Sequence, residues 1–292
     1  MLKPKKPFNV AEIFYFIGGG LAALGVGILL YQNWEFFSLG TKLLATIGFG
    51  VASQFAGMVF FQRKETVRVG MAFFLIAALV LPIGLRVVID ALGYSIGYGA
   101  HTCMAAAMFI LYLVFASTVR SNIFTLFAVL YATWLFFSIT SLIVDGTAFN
   151  TSDLVYGRFL VTGLSYILIG YSFSRDERSS LSPALYDLGI FAVLGAALLL
   201  GGYGENSNLF WELIYPVLII ATMCVSVFLK SKGFLLAGAL FLVAYIVKIT
   251  REYFADSVGW PLALVLIGMG IVGVGYLSVS MHKRYFLEKN SL

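Results

Sequence analysis

Long apolar runs separated by short polar stretches make up almost the whole chain. A bilayer core of ~30 Å needs ~20 apolar residues in helical form. Ten runs reach that length, at 11–31, 41–61, 69–89, 97–116, 122–144, 154–173, 184–203, 209–229, 233–253 and 261–281. The pattern predicts an all-α fold, a polytopic transmembrane helix bundle of ten helices over residues 11–281. Residues 1–10 and 282–292 form basic tails, and no soluble domain is expected. Ser182-Pro183 reads as an N-cap followed by proline at the first helical position, and Trp260-Pro261 opens the tenth run in the same way. Trp34, Trp211 and Trp260 stand at run ends, where an amphipathic ring suits the headgroup layer. Met1 to Lys6 is basic, as a signal peptide would be. The first run is too long for one and Tyr31-Gln32-Asn33-Trp34 offers no small-residue cleavage site, so a retained helix is expected.

Composition sharpens this picture. The 292 residues are 61% hydrophobic and 11% charged, with mean hydropathy +0.96. Soluble domains run at about 45–50% and about 25%. A soluble globular or disordered chain is excluded. The net charge of +5 is spread in ones to threes beside apolar runs. That distribution marks membrane orientation and gives no reason to expect a nucleic-acid partner. Cys103 and Cys224 give no disulfide framework, and with His101 and His282 they give no zinc-ligand spacing. No metal and no cofactor is expected, the lipid bilayer is the expected partner, and the sequence does not specify an oligomeric state.

Basic residues alternate in number from loop to loop. Fourteen lie on one side: Lys3, Lys5, Lys6, Arg63, Lys64, Arg68, Arg120, Arg175, Arg178, Lys230, Lys232, Lys283, Arg284 and Lys289. The other side keeps Lys42, Arg86, Arg158, Lys248 and Arg251. The positive-inside rule then predicts ten spans with both termini in the cytoplasm.

Four of those five exceptions fall inside runs, where a cation is costly at mid-membrane and cheaper near the interface. Helical rise places Arg86, Asp90, His101, Arg158, Glu212, Lys248, Arg251 and Glu252 in the outer third of the membrane. Pro82, Arg86 and Asp90 recur every four residues on one face, and Tyr245, Lys248 and Glu252 share another. Pro82 and Pro216 predict kinks beside these charges. Two readings follow. In the first, each cation snorkels to the headgroups beside a local carboxylate, as Arg86–Asp90 and Lys248–Glu252 pairs. Alternatively, Arg86, Asp90, His101, Arg158, Glu212, Tyr245, Lys248, Arg251 and Glu252 line an outward-facing, net positive pocket for a carboxylate or phosphate. Asp187 and Glu12, near inner run ends, suit helix-end or interface roles.

Glycines repeat at seven-residue spacing in the first run (Gly18–Gly25, Gly20–Gly27) and the tenth (Gly268–Gly275), a pattern for close helix packing. Ten helices would permit a five-plus-five inverted repeat. The third and eighth runs both hold a proline, but both prolines fall in the outer half, where mirrored copies should not.

The Gly-rich first run, IGGGLAALGVGILLYQNWEFF from Ile17, ends in Asn33-Trp34-Glu35 before a second apolar helix. Near the other end, an aromatic-basic stretch from Tyr245 to Phe254 precedes a Leu/Gly-rich last run and a basic tail. In these features the chain resembles an uncharacterised family of bacterial predicted membrane proteins. The resemblance implies a bacterial cytoplasmic (inner) membrane and transfers no activity or site residue.

Three functions compete at this stage. A transporter-like or ligand-binding membrane protein for an anionic small molecule or lipid headgroup fits the outer cations. A non-catalytic structural or regulatory subunit acting through helix packing fits the lack of midplane charge. An intramembrane enzyme would need Glu212 or His101 as acid or base, and no nucleophile stands with them in the sequence.

Overall fold

In the computed structural model, the described residues are 27–28, 31–63, 66–119, 121–145, 147, 152–175, 178–202, 207–229, 231–253, 265 and 268–269. Among them the regular structure is entirely helical. Among the described residues, eight helices are long and apolar enough to cross a membrane: α1 (Leu39–Phe61), α2 (Val67–Ala91), α3 (Tyr98–Thr118), α4 (Asn122–Val144), α5 (Ser152–Phe173), α6 (Ser182–Leu200), α7 (Leu209–Leu229) and α8 (Lys232–Tyr253). They correspond to the second to ninth predicted runs. Apart from residues 27–28, 31, 265 and 268–269, the first and tenth runs lie outside the described residues, with nearly all of their glycines and Trp260-Pro261. Large apolar side chains point outward along these helices, among them Leu79, Leu168 and Leu213, each about two-thirds exposed. Burial on one side and hydrocarbon on the other is what a helix in lipid presents, so the chain is a multi-pass membrane protein.

The chain divides into two compact units, Met1–Tyr112 and Leu113–Leu292, with the boundary inside α3. In the first unit α1 and α2 pack along a seam of glycines. A Cβ on Gly57 would strike the Phe74 ring, and one on Gly70 would lie 2.9 Å from the Gly57 carbonyl oxygen. The Phe60 and Phe73 rings stack beside it at 5.6 Å. Ser38 caps α1, its Oγ accepting from the Thr41 N–H at 3.3 Å. A π-turn over Leu44–Gly48 widens α1. Gly84 of α2 lies against it, close to Ile47 and Thr46. Pro82 and Pro216 both sit inside uninterrupted helices.

In the second unit α5 and α6 approach backbone to backbone. A Cβ on Gly163 would lie 2.6 Å from the Gly189 carbonyl oxygen, and one on Gly189 would lie 2.7 Å from that of Gly163. The adjoining core gathers Tyr186, Ile190, Leu194, Tyr215, Ile219 and Phe234 from α6, α7 and α8. One predicted boundary shifts. α6 begins at Ser182 after a 3-10 turn (Ser179–Leu181), so Leu181 takes the cap position and Ser182 lies buried in the first turn without a capping bond. Pro183 keeps its predicted place at the helix start. α6 also ends at Leu200, short of the expected 203, because Gly202 turns into the left-handed region at φ +66°.

Candidate functional site

Contacts between neighbouring helices bring five helix ends to one end of the second unit: the C-termini of α4, α6 and α8 and the N-termini of α5 and α7. Among the described residues, two buried cations stand there.

Lys248 lies in the last turns of α8 and is 4% exposed. Its Nζ donates to Glu212 Oε1 at 2.5 Å and to the Gly201 carbonyl oxygen at 3.3 Å. It also stands 3.5 Å from Glu252 Oε2, one turn along α8. An ammonium has three donors, and here three oxygens face them. Local sequence prepares each partner. Glu212 sits in the first turn of α7, where the helix dipole favours an anion. Asn208 precedes that turn, its Oδ1 accepting from the Phe210 N–H at 3.2 Å. Gly201 closes α6 and presents its carbonyl. Tyr245 supports the arrangement, its Oη donating to the Glu212 carbonyl oxygen at 3.0 Å while its ring lies 5.2 Å from that of Tyr215. Tyr215 in turn donates to the Leu194 carbonyl oxygen at 3.1 Å.

Arg158, in the second turn of α5, is 7% exposed. Its Nη1 donates to Ser141 Oγ of α4 at 2.8 Å. Its Nε and Nη2 are buried without a hydrogen-bond partner, and so is the hydroxyl of Thr162, one turn further on. The neighbouring Phe137 and Phe159 rings meet edge to face at 5.0 Å.

The structure therefore brings Glu212, Tyr245, Lys248 and Glu252 into one cluster, and places Arg158 at the same end with a neutral partner. Arg251, also in the last turn of α8, is exposed. Arg86 and Asp90 belong to the first unit, where both are exposed on α2 and form no ion pair with each other. His101 is half-buried in the first turn of α3. The expected excess of cations counted Arg86 and Arg251, whose long side chains reach outward from near helix ends. Among the described residues of the second unit, the groups withdrawn from solvent are instead two cations and two carboxylates: Arg158, Lys248, Glu212 and Glu252. Sequence reasoning missed Ser141, Thr162 and the Gly201 carbonyl. It also missed Ser53 and Gln54 in α1, buried polar side chains with unpaired atoms. Among the described residues no three His, Cys, Asp or Glu side chains converge as a metal would require. Comparisons with protein-family models, with curated proteins and with solved structures find no match, so the functional reading rests on this geometry.

Proposed function

We propose that the protein is a ten-span protein of a bacterial cytoplasmic membrane, with both termini cytoplasmic, that binds or moves an anionic small molecule or lipid headgroup from its outer side. Arg158 carries this reading: a guanidinium in the second turn of a membrane helix, buried, with most of its donors unused. Burying a charge without a charged partner costs free energy that a purely structural position has no reason to bear. The alternation of basic loops supports the orientation, which turns the Arg158 end outward.

Alkaline phosphatase fusions test the topology. Activity is expected after residues 147 and 207, with none after 178, 231 or the C-terminus. Proteoliposome uptake of a panel of anionic metabolites, read by mass spectrometry, tests the activity with Arg158→Gln as control. No uptake or retention above that control moves the weight to the second reading, a non-catalytic subunit acting through helix packing. The Lys248 cluster favours that reading, since its ammonium faces two carboxylates and a carbonyl from within the chain.

A further inference from the structure

The pattern of used and unused donors on Arg158 is directional. Nη1 is engaged by Ser141. Nε and Nη2 project from the same edge of the guanidinium plane, and both are idle. Thr162 lies on the same face of α5 and is 8% exposed. Threonines in these helices commonly return their hydroxyl to the carbonyl four residues back, as Thr133, Thr140 and Thr222 do. The Thr162 hydroxyl makes no such bond. Three donor groups are thus withheld from solvent and from the rest of the chain at one place, a costly arrangement unless an acceptor arrives.

We infer that the Nε–Nη2 edge of Arg158, with the Thr162 hydroxyl, holds a singly charged anion through two of its oxygens, a carboxylate or a phosphodiester. The fork matches the spacing of two oxygens on one such group, and two parallel charge-assisted bonds form. One guanidinium without a carboxylate partner balances one negative charge. The Lys248 cluster does not compete, because its three donors already face oxygens. Arg158 lies about 9 Å from the start of α5 by helical rise, so an anion has to enter from that end of the helix, as a solute or as a lipid headgroup. The inference names the ligand class for the binding reading above and rests on it.

The test uses the full chain in phosphatidylcholine nanodiscs and reads the thermal unfolding midpoint. The probes are sodium acetate, dimethyl phosphate and phosphatidylglycerol added to the nanodisc, with chloride at equal ionic strength as reference. At least one probe is expected to raise the midpoint above chloride. Arg158→Gln should remove that rise, and Thr162→Val should diminish it. Arg158→Lys, which keeps the charge and loses the fork, should weaken apparent affinity about tenfold. A response to acetate alone identifies a small carboxylate, and a response to phosphatidylglycerol alone identifies a lipid phosphodiester. A response to dimethyl phosphate as well extends the site to free phosphodiesters. Equal rises in the native protein and Arg158→Gln overturn the inference, as does no rise above chloride with any probe. Should Arg158→Gln fail to fold, Arg158→Lys and Thr162→Val make the same comparison. Arg158-dependent binding without solute flux keeps the site and removes transport. Fusions that place the start of α5 in the cytoplasm remove the outward orientation and leave the binding result standing.

Discussion

Lys248 and Arg158 stand at the same end of the second unit and are buried to a similar degree, at 4% and 7% exposure. Their surroundings differ in kind. Lys248 has a carboxylate from the next helix, a carboxylate from its own helix and a backbone carbonyl. Arg158 has one serine hydroxyl. A buried ion is tolerated when its partners replace the water it lost, and the first residue meets that condition while the second does not. Burial depth alone therefore does not distinguish a structural charge from a binding one; the tally of filled and empty donors does.

That contrast can be broken most forcefully at Lys248. Lys248→Met removes the ammonium that Glu212 and Glu252 share, and should lower stability by about 3–5 kcal/mol. Unfolding in detergent, followed by circular dichroism or tryptophan fluorescence, measures it; a loss under about 1 kcal/mol would show that the cluster does not hold α7 and α8 together. Next in size is the α5–α6 seam that carries Arg158 past the helix ending at Gly201. Gly163→Ala or Gly189→Ala forces a methyl onto backbone atoms of the opposite helix and should cost about 1–3 kcal/mol. Combining the two should cost less than their sum if one helix separation relieves both.

Arg158→Met reverses the sign. With no anion present, replacing the under-partnered guanidinium by an apolar side chain should raise stability by about 1 kcal/mol. A loss as large as that of Lys248→Met would mean that Arg158 is a structural charge after all. The smallest effect belongs to Tyr245→Phe, which removes one hydrogen bond to the Glu212 carbonyl and should cost about 0.5 kcal/mol. It should leave any response to anions unchanged.

Two pairs with one spacing show how far sequence carries. Arg86–Asp90 and Lys248–Glu252 are both cation and carboxylate at i,i+4 in an apolar run. Only the second closes into an ion pair. Its lysine is also held by Glu212, and that contact depends on α7 lying beside α8. Spacing within a helix is legible from a sequence; the rotation that turns one helix toward another is not. The same limit hid Ser141 and Thr162, ordinary residues in apolar runs until a neighbouring guanidinium gives them meaning. The spans themselves were legible because ~20 apolar residues have few other uses. For α4 and α7 the expected limits, 122–144 and 209–229, coincide with the observed ones. The backbone turn at Gly201-Gly202 stopped α6 early, since glycine is equally at home inside a membrane helix and at its end.

The widened turn at Leu44–Gly48 has a consequence for how α1 tolerates shortening. A π-turn accommodates one surplus residue without changing the phase of the helix on either side. Deleting Ala45 should therefore restore ordinary α-helical winding and leave Gly50 and Gly57 facing α2. Deleting Ala52, inside the regular part of α1, should swing Gly50 and Gly57 apart by about 100° and break the seam with α2. Expression and unfolding of the two deletion variants would show whether this helix carries a built-in site for losing a residue.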